Sequence, residues 1–293
     1  MVRWIVNLLG GPEGIFQAAV AIEHKIYSVG CCYCQRRKPF GVHVLNTIDY
    51  RWKYVPTVPF QSDPEEQFIA GSGIVYQPYG EIPPARTGHT LATYQGMVYM
   101  WGGYCAHINM LCSKLYCFNP EQRTWSVIPS ANEAPFPREK HTAVVHDDVM
   151  FIYGGMRILQ NHQIRFFGDV WAYHFKTRKW YVIVARGEEP PGRARHTACV
   201  IKGKMYVFGG INASSEQLYL DVLNLQKNYW ERPRMSGRAP EGAVAACSWV
   251  HNNKMYVFGG NQPRDDHLMI GLYQFDPETS AWRTITPFGL NFR

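Results

Sequence analysis

The stretch Arg86–Pro129 reads RTGHTLATYQGMVYMWGGYCAHINMLCSKLYCFNPEQRTWSVIP. An Arg-x-x-His-Thr element (Arg86, His89) opens a first alternating run. A second run, MVYMW, ends at Gly102 and Gly103. A third, LYCF, leads into a turn at Asn119 and Pro120, and Trp125 opens a fourth. Short runs rich in aromatic and β-branched residues, each bounded by turn residues, predict four antiparallel strands. They are called a, b, c and d below.

The same order recurs along the chain. Glycine pairs follow apolar runs at Gly154-Gly155, Gly209-Gly210 and Gly259-Gly260, and a degenerate copy has Gly30 followed by Cys31. An aromatic stands three residues before each first glycine: Tyr27, Tyr99, Phe151, Tyr206 and Tyr256. A tryptophan follows each glycine by 21 to 26 residues: Trp52, Trp125, Trp180, Trp230 and Trp282. The Arg-x-x-His-Thr element returns at Arg138/His141 and Arg193/His196, each His 13 residues before its glycine, and is missing from the first and fifth copies. A repeat of this length is a unit that cannot cover its own apolar faces and must stack on its neighbours. The reading is all-β: a β-propeller of four-stranded antiparallel blades, with the Trp and the aromatic before each glycine filling the space between blades.

The blades are expected near residues 14–56, 84–130, 136–185, 191–235 and 240–287 of a single propeller over 1–293. Trp4, in RWIVNL, matches a lone d strand. Five full blades plus one N-terminal strand predict an incomplete six-bladed ring. A five-bladed ring, or a blade completed by another chain, is the alternative. Trp52 to Trp125 spans 73 residues against 50 to 55 for the later intervals. This places an insertion at 57–83, rich in proline, with acids at Asp63, Glu65 and Glu66, expected as a mobile surface loop.

Composition agrees. Aromatics make up 14% and charged residues only 18%, with 26 Gly and 19 Pro, which excludes a disordered chain and a coiled coil. No run of 18 apolar residues is present, so no membrane span is expected. The N-terminal MVRWIVNLLGG lacks the features of a signal peptide, so the 8 Cys are expected as reduced thiols and the chain as cytoplasmic or nuclear.

The sequence offers little catalytic chemistry. It has no Gly-x-Ser-x-Gly and no phosphate loop, and the glycine pairs end strands instead of opening helices. His89, His141 and His196 occupy one repeat position, which points to a structural role. The Cys31-Cys32-x-Cys34 cluster lacks zinc spacing. No metal, cofactor or catalytic residue is expected. Arg86, Arg138, Arg193 and Arg195 precede strand a and would line one rim of the central channel as an anion-binding funnel. The competing reading packs them on neighbouring blades and pairs them with local acids such as Glu139. Tyr104, Met156, Arg157 and Asn212 follow the glycine pairs toward the same face. The charge of +7 permits nucleic acid, but the best basic clusters are only Arg36-Arg37-Lys38 and Lys176–Lys179.

The Gly-Gly, Tyr and Trp pattern resembles kelch repeats over nearly the whole chain. Within that family it is similar to substrate receptors of a cullin-2 RING ubiquitin ligase. The resemblance implies a non-catalytic module that captures C-terminal degrons, with arginines holding the terminal carboxylate, and links to chromatin and meiosis. It also implies a pocket arginine directly after a middle Gly-Gly. Here Ile211 stands there in the fourth repeat, while the third has Met156 followed by Arg157, the nearest substitute. Elongin adaptors would bind a box with Leu four residues before Cys, which none of the 8 cysteines has. A chromatin-associated or cytoskeletal scaffold, binding through Arg36, Arg37 and Lys38, is the alternative function.

Overall fold

Each of the five repeats folds as a four-stranded antiparallel sheet in the order a, b, c, d. Blade one comprises Ala18–Ile22, Lys25–Gly30, Gly41–Asn46 and Arg51–Val55. Blade two comprises Thr90–Tyr94, Met97–Trp101, Leu115–Asn119 and Thr124–Ile128. Blade three runs Thr142–His146, Val149–Tyr153, Val170–His174 and Lys179–Ile183. Blade four runs Thr197–Ile201, Lys204–Phe208, Leu220–Asn224 and Tyr229–Glu231. Blade five runs Cys247–His251, Lys254–Phe258, Leu272–Asp276 and Ala281–Ile285. The computed structural model describes residues 11–12, 18–30, 41–61, 78–214, 219–241, 243–261 and 271–286, among which there is no helix. The expected strand at Trp4, the Cys31–Cys34 cluster, Arg36-Arg37-Lys38 and the acids Asp63, Glu65 and Glu66 lie outside the described residues.

The b strands explain why the blades stack. Val149–Tyr153 reads VMFIY and is buried along both faces except at its first residue. A strand apolar on both sides needs a neighbour on each. The four apolar cores among the described residues each lie between two successive blades. Trp125, Trp180, Trp230 and Trp282 are buried in these seams. Trp180 meets Trp101 of blade two at 5.7 Å, Trp230 meets Tyr153 of blade three at 5.2 Å, and Trp282 meets Phe208 of blade four at 4.9 Å. The expected inter-blade role of the repeat aromatics is thus what the fold displays. Trp52, whose own seam would face a preceding blade, is only half-buried.

Connections stitch the blades at their outer edges. Arg186–Gly187, leaving blade three, adds a parallel strand to Tyr229–Trp230 of blade four, and Ser236–Gly237 does the same on blade five. Between blades two and three a side chain does this job: Asn132 accepts from the Trp180 N–H and donates to the Trp180 carbonyl, both at 2.7 Å. The 57–83 insertion differs from the expected free loop at both ends. Val58–Pro59 and Tyr79–Gly80 are short strands hydrogen-bonded to the outer strand of blade two. Backbone groups at those ends need partners, and strand d of the next blade offers an open edge.

Candidate functional site

The Arg-x-x-His-Thr element builds the seams. Arg86, Arg138 and Arg193 are 1%, 0% and 0% exposed. Each donates through Nη1 to the carbonyl of the first glycine of its own pair, Gly102, Gly154 and Gly209, at 3.2, 3.1 and 3.4 Å. Arg138 also grips Asp169 with both Nη atoms, at 2.5 and 2.9 Å, and lies 3.9 Å over the Phe167 ring. Arg193 pairs with Asp221, which Arg232 also contacts at 2.9 Å. Arg86 stacks 4.9 Å over Tyr116. Burial works against the Asp169 charge, but the hydrogen bonds from Arg138 and from the Trp171 indole outweigh it and hold its carboxyl below the ordinary range. These three arginines therefore do not form the expected anion funnel. Each is long enough to reach the turn of its own blade, and for Arg138 and Arg193 a carboxylate beside strand c neutralises the charge. Glu139, the acid suggested by sequence, pairs instead with Lys140 at 3.0 Å.

The histidines act across the seams. His141 Nε2 lies 2.7 Å from Thr90 Oγ1 of blade two, and His196 Nε2 lies 2.8 Å from Thr142 Oγ1 of blade three. Blade one has Ala18 where these blades have Thr, and His89 Nε2 donates to the Val29 carbonyl at 3.1 Å. Burial foremost, then the neighbouring arginine, pulls His89 down to about 4 and His196 to about 3, and places His141 well below its ordinary value. All three are neutral near pH 7. The glycines are required by closeness: a Cβ on Gly154, which has φ of 68°, would sit 2.6 Å from the Arg193 carbonyl oxygen and 2.7 Å from His196 Cε1.

A different set of groups lines up where each blade meets the next. The residue before each His or its blade-five equivalent adopts positive φ: Gly88, Lys140, Arg195 and Ala245 at 67, 57, 58 and 60°. Their backbones form a chain from blade to blade, Lys140 N–H to Gly88 C=O, Arg195 N–H to Lys140 C=O, and Ala245 N–H to Arg195 C=O, at 2.7, 2.9 and 2.8 Å. Arg195 is exposed and Lys140 half-buried. Lys140 was missed by sequence reading, although its place one residue before a repeat His matches that of Arg195. Beside this chain, the residues after each Gly-Gly are pinned by backbone bridges: Tyr104 to Thr87, Met156 to Glu139, Ile211 to Ala194. Tyr104 is half-buried and donates through its hydroxyl to Asn109 at 2.6 Å. Met156 and Asn212 are buried.

Arg157 lies on a two-stranded ribbon, Met156–Ile158 with Ile164–Phe166, directly opposite Arg165. Arg165 rests 5.1 Å over Phe167. The Arg157 Nε is buried without a hydrogen-bond partner among the described residues. Like charges placed opposite each other on a ribbon repel, and an anion between them relieves that. By contrast, the buried thiols offer no nucleophile: burial pushes Cys117 and Cys199 up to about 12. Cys112, Cys117, Cys199 and Cys247 are free thiols. No helix among them is long and apolar enough to cross a membrane.

Comparison with known proteins follows the same lines. Residues 88–291 match the domain described as the KLHDC2/KLHL20/DRC7 Kelch-repeats domain. Kelch domain-containing protein 3 of Rattus norvegicus is 30% identical over 215 residues, which is 72% of this chain and 52% of that protein. The Homo sapiens protein of the same name shows the same identity and coverage. The Leucine-zipper-like transcriptional regulator 1 homolog of Drosophila melanogaster is 30% identical over 149 residues, 50% of this chain and 15% of its own length. The chain thus spans about half the length of the first of these relatives.

Proposed function

Because this chain belongs to the kelch-repeat propeller family, we propose that it is a protein-interaction module that captures segments ending in a free carboxylate at the channel mouth. The family is generally a non-enzymatic interaction scaffold. The observation that carries the finer reading is the Arg157 guanidinium, with its buried Nε unpartnered among the described residues and a second arginine across the ribbon. Arg195 and Lys140, on the backbone chain at the mouth, supply further donors. Tyr104 offers an aromatic wall. A terminal carboxylate suits this set because a guanidinium grips it with two parallel hydrogen bonds.

In this reading the chain resembles the capturing part of a cullin-2 ubiquitin-ligase receptor. The test uses fluorescence polarisation with peptides selected from a library of free C-termini, each paired with its amidated twin. The free acid should bind at least about tenfold more tightly, as expected for losing a charge-assisted pair. Arg157→Ala and Arg195→Ala should each weaken the free acid alone. Equal affinity for acid and amide defeats the carboxylate reading.

A further inference from the structure

The seam between blades one and two holds a groove of 480 Å³. Its cause lies in one residue after strand c. In blade three that residue is Phe175, buried, stacked on Tyr94 of blade two at 4.0 Å and leaning on Tyr99 at 4.7 Å. In blade four it is the buried Leu225. In blade two it is Pro120, too small to fill the same space, and the groove opens beside it and Phe118.

The charge of the groove has an equally local cause. Sheet register sets its blade-one wall in rows: Lys25, Asn46 and Arg51 in one, Tyr27, Val44 and Lys53 in the next. Blade four begins the same way, with Lys204 opposite Asn224, but places Glu231 opposite Val222 where blade one places Lys53 opposite Val44. Lys204 and Glu231 neutralise each other at 2.5 Å. Two exchanges, Lys53 for Glu231 and Arg51 for Tyr229, leave blade one basic. Arg123, from the c–d turn of blade two, adds a fourth cation, and Asp49 is the one carboxylate in the lining. None of Lys25, Arg51, Lys53 and Arg123 forms an ion pair among the described residues. The wall between them is apolar, with Tyr27 and Phe118 buried.

We infer that this groove binds an extended acidic segment of a partner protein. Arg51 and Lys53 stand two residues apart on one face of strand d, so acidic side chains at alternate positions of an extended peptide meet both. An apolar side chain between them enters the space beside Val44 and Phe118. The cations surround an apolar floor of side-chain size, which suits a peptide and gives no stacking ladder for successive bases. The site is separate from the channel mouth and does not depend on a free C-terminus.

The experiment uses the full chain and a labelled peptide with alternating Glu and a central Phe, acetylated and amidated so that no terminal carboxylate is present. A Gln-for-Glu peptide is the control. Wild-type protein should bind the acidic peptide and not the control, with affinity falling as salt rises. Lys53→Glu copies blade four, where Glu231 is accommodated opposite Val222, and should weaken binding by about tenfold or more with little change in melting temperature. Pro120→Phe copies blade three, leaves every charge in place, and should also abolish binding by filling the groove. Three results overturn the inference: no binding by wild type at about 1 mM peptide; loss in Lys53→Glu but full binding in Pro120→Phe, which means unspecific attraction to charge; or displacement of the peptide by a single-stranded RNA that binds more tightly.

Discussion

The seam between blades three and four and the seam between blades one and two use the same repeat positions and come out differently. In the first, Thr142 meets His196, Tyr153 meets Trp230, and Leu225 fills the outer part, with the buried Arg193–Asp221 pair fixed in blade four beside it. In the second, His89 meets a blade-one carbonyl where the other seams have a threonine, and Pro120 leaves a basic groove where Leu225 would sit. The difference teaches where the repeat is fixed and where it is free. Near strands a and b the buried His side chains join neighbouring blades, and each buried Arg ties the entry of its own blade to its Gly-Gly turn. Near the ends of strands c and d, single exchanges alter shape and charge without disturbing the seam.

The strongest way to break the comparison is to remove the buried charge pair. Arg193→Met leaves the Asp221 side chain, only 2% exposed, with Arg232 alone. It should cost about 3–5 kcal/mol, seen as a large drop in urea midpoint or loss of soluble protein. Adding Asp221→Leu should recover part of that loss. A smaller, graded effect follows from pH. The folded values of His89 and His196, about 4 and about 3, lie below the ordinary 6.5, so the folded state resists protonation. Their contribution is complete above pH 6.5 and lost as pH falls toward 4 and 3, with a slope of up to ~1.4 kcal/mol per pH unit for each. Urea midpoints measured from pH 7 to 4 should fall accordingly, and His196→Gln should flatten the slope by about one proton's share.

Gly154→Ala comes next. Its methyl would meet the Arg193 carbonyl and His196 at a backbone angle that favours glycine, costing about 2 kcal/mol in the same urea assay. The smallest effect sharpens the comparison instead of breaking it. Pro120→Phe, by filling the groove of the looser seam, should raise the midpoint by up to about 1 kcal/mol. No gain would mean that the groove's walls do not tolerate the ring that Phe175 supplies elsewhere.

Much of the fold was legible in the sequence because the repeat is periodic. The glycine pairs, the Tyr or Phe before them and the tryptophans mark turns and seams, and those roles depend only on local spacing. The site was less legible. Arg86, Arg138 and Arg193 occupy a rim position by repeat count, but their guanidinium groups turn inward because Asp169 and Asp221 await Arg138 and Arg193, each about 30 residues downstream of its arginine. That pairing is a tertiary fact. Lys140 is legible by position, since like Arg195 it stands one residue before a repeat His. The basic groove could have been read by aligning Lys53 with Glu231 and Pro120 with Leu225.

The central claim is that buried repeat arginines hold each blade's turn and strand c together while exposed cations bind. It is tested most directly by measuring melting temperature and free-acid peptide affinity on Arg138→Met and Arg195→Ala side by side. The account predicts that Arg138→Met melts much lower or fails to fold, whereas Arg195→Ala melts as wild type and binds the free acid more weakly. An Arg138→Met protein that melts as wild type and has lost binding, beside an Arg195→Ala protein that binds normally, would contradict it.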